Sequence, residues 1–230
     1  MNPAIAPPRP AALFGESMGI LELPRLITRF PALADQPRGS GERVLVLPGY
    51  GAGDASTGVL RSYLRYLGYR ARGWGLGRNR GNVEELIPQV IERLEELVER
   101  DGEPVSLVGW SLGGVLAREA ARERPDCARR VVTMGSPVVG GPKYTAAAPA
   151  FRRRGLDLDA VEAEINARNE VAIEVPVTAI YSRNDAVVAW EACIDRGATD
   201  VEHVEVEATH VGLGFSPDVF EIVAQRLARD

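Results

Sequence analysis

Residues 105–125, VSLVGWSLGGVLAREAARERP, decide how the chain is read. VSLVG is a continuous apolar run of strand length, and LGGVLAREAARER carries a helical pattern that Pro125 stops. Between them, Gly109 to Gly113 spell G-x-S-x-G. In a chain with 24 glycines the five-residue pattern is a weak signal alone, but a junction of buried strand and helix gives it a mechanical meaning. The glycines let strand and helix approach around a sharp turn. The Ser111 hydroxyl is then expected above the carboxyl edge of a sheet, with the Leu112 N–H aimed where an oxyanion would form.

Working outward from that turn, short apolar runs alternate with longer amphipathic ones from residue 43 onward, as βα units on a parallel sheet require. RVLVLP (43–48), VSLVG (105–109), RVVTMG (130–135) and VTAIYS (177–182) are nearly all apolar and read as central strands covered on both faces. YRARGW (69–74) and DVEHVEVEA (200–208) alternate apolar with polar residues and read as edges. Right-handed crossovers then give a six-stranded, mostly parallel sheet of order 2-1-3-4-5-6 with helices on both faces. Asn82 and Glu85 form a capping pair before the stripe Leu86, Val90, Leu94 and Leu97, with Pro88 bending its first turns. Ser216-Pro217-Asp218 opens a last helix with Phe220, Val223, Ala224 and Leu227 on one stripe. Two organisational features remain. Residues 1–42 form an N-terminal arm and helical segment, with a loose pattern over 11–36 broken by Pro24 and Pro31, ahead of a single domain over 43–230. Within that domain, residues 137–174 carry two weak helical patches (146–154 and 157–168) where one helix would suffice, which marks a candidate lid.

Composition removes whole classes of function. A net charge of −5, spread without a basic block, offers no electrostatic footprint for nucleic acid or an anionic membrane. No leader pattern and no span-length apolar stretch is present, so a cytoplasmic location is expected. Cys127 and Cys193 are expected to be unpaired thiols, and two histidines with scattered carboxylates make no metal cluster. GYGAGD lacks the third glycine of a dinucleotide site, GWGLGRNRG (73–81) follows an edge strand without a fitting helix start, and no phosphate-cradling G-x-x-x-x-G-K-[ST] occurs. No cofactor is called for.

A serine hydroxyl needs a base to take its proton, and imidazole suits that task near neutrality. His203 lies inside the alternating edge strand on the face of Glu205 and Glu207 and reads as an exposed strand residue. His210, in ATHVGLGFSP, follows that strand at the carboxyl edge, where open α/β sheets build sites. An acid must orient the base. Asp185, in YSRNDAVV after the fifth strand, emerges at the same edge. Asp157 and Asp159 belong to the 137–174 segment, and Asp195 and Asp200 precede the edge strand.

The order Ser111, Asp185, His210, with GWSLGG, SRNDAVV and THVGL around them, resembles the α/β-hydrolase superfamily and its lipase and esterase branch. The resemblance runs from about residue 43 to the end. LPGYGAGD resembles that family's oxyanion loop, which implies Tyr50 as the second oxyanion donor beside Leu112. Two departures stand out: Pro48 occupies a position where many relatives have His, and no antiparallel strand pair precedes residue 43, which implies a compact version of the fold. The implied activity is hydrolysis of a carboxylic ester through an acyl-serine. Tyr50, Leu76, Trp110, Val138, Val187, Val188 and Leu213 are expected to line a pocket for an uncharged, lipid-like acyl chain. Acyl transfer to an alcohol or amine by the same triad, and a binding module that kept the fold without the chemistry, are the alternatives. The oligomeric state and the particular ester are not legible.

Overall fold

The computed structural model describes residues 5–229, so the first four residues of the proline-rich arm lie outside the described residues. Six strands form one sheet: β1 (Arg43–Leu47), β2 (Arg70–Gly73), β3 (Val105–Trp110), β4 (Ala128–Met134), β5 (Val177–Tyr181) and β6 (Val201–Glu205). Their order is β2-β1-β3-β4-β5-β6, the expected one, and all five pairings are parallel where a mostly parallel sheet was expected. Burial explains which strands sit inside. Val44 to Leu47 and Val105 to Val108 are all within 2% of complete burial, whereas β2 buries only Ala71 and β6 buries no residue.

The helices divide between the two faces as the strand period dictates. They are α1 (Glu22–Ala34), α2 (Gly58–Tyr66), α3 (Val83–Asp101), α4 (Leu112–Glu123), α5 (Ala148–Arg153), α6 (Leu158–Arg168), a single turn α7 (His210–Leu213) and α8 (Pro217–Leu227). Val44 and Val46 of β1 point into a core with Leu26 and Leu33 of α1, Leu60 and Leu64 of α2 and Phe220 and Val223 of α8. Leu45 and Leu47 point the other way, into a core with Leu86, Val90 and Leu94 of α3 and Leu116 and Ala120 of α4. Each such large aliphatic side chain stabilises by roughly 1.5–3 kcal/mol when fully buried.

Ahead of β1 the chain differs from the pattern expected of it. A 3₁₀ stretch (Pro10–Leu21) leads into α1, and α1 runs through both prolines that were expected to break it. Pro24 sits in the first turn, where the N–H has no intrahelical acceptor, and Pro31 lies three residues from the end. Asn82 does occupy the N-cap of α3, but its side chain makes no capping bond, and Ser216 makes none at α8.

The 137–174 segment contains α5 and α6 and is tied at both ends. Near its start, Val139 N–H donates to Ala192 O (3.0 Å), Ala146 N–H to Val187 O (2.8 Å), and Ala189 N–H to Tyr144 O (3.0 Å). At its end, Asn169 Oδ1 accepts from Arg118 (2.9 Å) and Arg122 (3.0 Å) of α4, and Arg122 also donates to Val171 O (2.7 Å). Arg118 is itself buried and makes a two-pronged pair with Asp195 at 2.5 and 2.7 Å.

Candidate active site

Ser111 connects β3 to α4 with φ 55° and ψ −124°, and it is the one non-glycine residue with positive φ among the described residues. That conformation costs free energy and persists because the surroundings over-determine it. Ser111 N–H donates to Met134 O (2.8 Å), so the β3–β4 ladder extends into the turn. The glycines do the rest by leaving room. A Cβ at Gly113 would overlap the Leu47 and Pro48 carbonyls, and one at Gly114 would overlap Ser136 Oγ. Gly114 thus belongs to the structural motif although it lies outside G-x-S-x-G. Leu112 opens α4, where a backbone N–H lacks an intrahelical acceptor.

β1 delivers the next loop to the same place, because Leu47 pairs with Gly109 in register. A Cβ placed on Gly49 would stand 3.1 Å from Ser111 Cβ, so the Gly49-Tyr50 turn lies directly against the serine. Asn79, fully buried, braces this loop: its Nδ2 donates to Pro48 O (3.0 Å) and its backbone bonds to Gly51 and Ala52 (2.7 and 2.8 Å). Nothing in the sequence around Asn79 signals that role, since all three partners lie about 27 to 31 residues upstream.

His210 is the first residue of α7, a turn capped by Thr209, rather than a loop residue. Its Nδ1 lies 2.6 Å from Asp185 Oδ2, and both residues are buried. The other carboxylate oxygen of Asp185 accepts from the N–H groups of Val187 (2.8 Å) and Val188 (2.7 Å), which fixes the carboxylate plane. Gly135, just past β4, makes space for the pair, since a Cβ there would approach Asp185 Oδ2 and His210 Nδ1 to about 3 Å. Trp110, next to Ser111, donates from Nε1 to His210 O (3.2 Å), and the two rings stand 6.0 Å apart. The Ser111, His210 and Asp185 segments therefore meet on one edge.

Three of the four other carboxylates named from the sequence are engaged elsewhere. Asp157 caps α6 through Asp159 N–H and Ala160 N–H, Asp159 pairs with Lys143, and Asp195 pairs with Arg118. The competing base, His203, is exposed on β6 and contacts the Asp195 carbonyl at 3.0 Å. Both cysteines are free and buried, and burial pushes each thiol up, Cys193 most.

The residues expected to line a pocket separate into groups. Tyr50 is half exposed at the edge, with Phe151 of α5 packed edge-on against it (5.7 Å) and Arg154 3.4 Å from its hydroxyl. Trp110 and Val187 are part-buried near the same edge. Val138, Val188 and Leu213 are at most 2% exposed and contribute packing, not open surface. Leu76 is part-buried and packs on the core between the sheet and α3, in a loop tied back by Trp74 Nε1–H donating to Gly77 O (3.0 Å). One further residue reaches the site from far along the chain. Glu16, on the 3₁₀ stretch before α1, is buried and places its carboxylate on the backbone N–H groups of Ala186, His210 and Val211.

A model of the Alpha/beta hydrolase family matches residues 44–226. No curated protein matches the sequence. Among solved structures, a metagenome-derived lipolytic enzyme of the LipS and LipT pair superposes with a TM-score of 0.61 at 17% identity, covering 84% of this chain and 94% of that one. The monoacylglycerol lipase of Paleococcus ferrophilus gives 0.60 at 20% identity, over 83% and 95%. Bacillus licheniformis lipase BlEst2 gives 0.61 at 14%, over 85% and 95%. At these identities the likeness is one of fold. Among the described residues no helix is long and apolar enough to cross a membrane.

Proposed function

The chain belongs to the Alpha/beta hydrolase family, and from that premise we propose that it is a carboxylic ester hydrolase working through an acyl-serine on Ser111. The observation that carries the reading is the buried 2.6 Å contact of His210 Nδ1 with Asp185 Oδ2 beside a serine held at positive φ. With Nδ1–H donated to the carboxylate, Nε2 is left as the base. It takes the Ser111 proton as Oγ attacks the ester carbonyl, and the carbonyl electron pair moves onto oxygen. The N–H groups of Leu112 and Tyr50 receive that oxyanion. Collapse expels the alkoxide, protonated by the imidazolium, and leaves the acyl-serine. Water, deprotonated by the same nitrogen, then attacks the acyl carbon, and Ser111 leaves with its proton restored.

The substrate class follows from what surrounds the edge. Tyr50, Trp110, Val187 and Phe151 offer apolar and aromatic surface, which suits an uncharged acyl group, and lipolytic relatives of the same fold support that choice. Residues 137–174 serve as the cover over it, with α5 as the part that touches Tyr50. Fluorophosphonate labelling read by intact mass tests the proposal. The native chain should gain one adduct and hydrolyse p-nitrophenyl butyrate, while Ser111→Ala should gain none and lose about 10⁴- to 10⁶-fold in kcat. Undiminished labelling of Ser111→Ala would end it.

A further inference from the structure

The stretch Pro10–Leu21 precedes the residues matched by the family model, yet it reaches into the site. Glu16 is 7% exposed, and its carboxylate accepts three backbone N–H groups. Oε1 takes Ala186 N–H (2.8 Å) and His210 N–H (3.1 Å), and Oε2 takes Val211 N–H (2.8 Å). Ala186 is the neighbour of Asp185, and His210 is the base itself. One side chain therefore spans the two loops whose separation sets the acid–base contact. No Arg or Lys side-chain nitrogen and no His ring nitrogen pairs with Glu16 within 4 Å among the described residues, so backbone N–H dipoles compensate its charge. Burying a carboxylate without a cation is costly, and charge-assisted bonds to N–H groups are the strong kind that can offset it. The approach of the stretch is also close. A Cβ at Gly19 would lie 2.6 Å from Gly212 N and 2.7 Å from Thr209 Oγ1, so only glycine lets the chain seat on the turn that carries His210.

We propose that Glu16 is a positioning residue: it latches the acid loop to the base turn and thereby holds His210 Nδ1 on Asp185. The role rests on the Ser111, His210, Asp185 reading of the site. It accounts for a buried charge that no ion pair explains. It also predicts that the N-terminal segment contributes to turnover while touching no substrate.

The test uses the full chain with Glu16→Gln and, as a second variant, Glu16→Ala. Gln keeps the shape but turns an amide N–H₂ toward one of the three N–H donors; Ala removes every acceptor. Two readouts are taken well below the melting temperature of each protein: the imidazole Nδ1–H proton resonance of His210, and kcat and KM for p-nitrophenyl butyrate. The resonance is expected to shift or broaden into solvent exchange in both variants. In parallel kcat should fall ~10- to 100-fold with KM within about twofold, the scale of a misplacement near 1 Å. A simple loss of stability would lower the melting temperature without moving either readout. The proposal is overturned if either readout is unchanged in a folded Glu16→Gln protein. Should the native chain hydrolyse no ester, the hydrolase reading falls and the resonance alone decides the latch.

Discussion

Replacing Asp185 by Asn changes one atom, and the surroundings dictate which way the amide must sit. Two N–H groups, of part-buried Val187 and buried Val188, point at Oδ1 from 2.8 and 2.7 Å, and His210 Nδ1 faces Oδ2 at 2.6 Å. The amide oxygen will stay with the two N–H donors, because turning N–H₂ toward them would strand both at about 1–3 kcal/mol each. The N–H₂ must then face His210, which can pair with it only by presenting a bare Nδ1. The ring proton moves to Nε2, the atom that has to accept the Ser111 proton. Turnover should drop by ~10³- to 10⁴-fold, about 4–5.5 kcal/mol of barrier, with KM within a few-fold because the pocket surface is unaltered. Steady-state hydrolysis of p-nitrophenyl butyrate measures the loss, and long-range ¹⁵N correlation spectra of the imidazole report the tautomer. A variant that keeps Nδ1–H, or retains more than a tenth of the native kcat, would refute the reasoning. An inactive Asp195→Asn or Asp157→Asn beside it would move the acid elsewhere.

Two further outcomes concern the choice of base and a buried ion pair. His210→Ala should abolish turnover, whereas His203→Ala, exposed on β6, should change kcat less than about twofold; the reverse pattern in the same ester assay would mean that the base lies on the strand. Arg118→Met should leave Asp195 buried and without its cation, costing about 3–5 kcal/mol in urea unfolding, and a change below about 1 kcal/mol would show that the pair is not a unit.

Patterning along single segments carried the fold. Apolar runs against alternating ones separated β1, β3, β4 and β5 from the edges β2 and β6, and connection handedness then left one order, which the pairing follows. The candidate triad was legible for a related reason: each member lies within five residues of the end of a strand, so strand assignment already places it near one edge. What stayed hidden depends on contacts between distant residues. Glu16 meets its partners across 170 to 195 residues, in a stretch whose local pattern is weak. Arg118 lies in the helical run LAREAARER, where no neighbouring residue marks it for burial, yet it is buried on Asp195, 77 residues away. Leu76 shows the converse limit, since lying on a loop at the right edge does not say to which side the loop folds.

The backbone of Ser111 has a consequence for how this chain tolerates change. Strain at a single non-glycine residue with positive φ amounts to about 1–3 kcal/mol, against the 5–15 kcal/mol that separates a typical folded domain from its unfolded chain. Glycine at position 111 would relieve most of it, so the sequence of greatest stability differs from the proposed working sequence at the very residue that bears the hydroxyl. Selection for stability alone would drift toward an inert protein. The tight glycine contacts and the Ser111–Met134 bond must therefore supply a standing surplus, and substitutions that erode that surplus would release the serine before they unfold the domain.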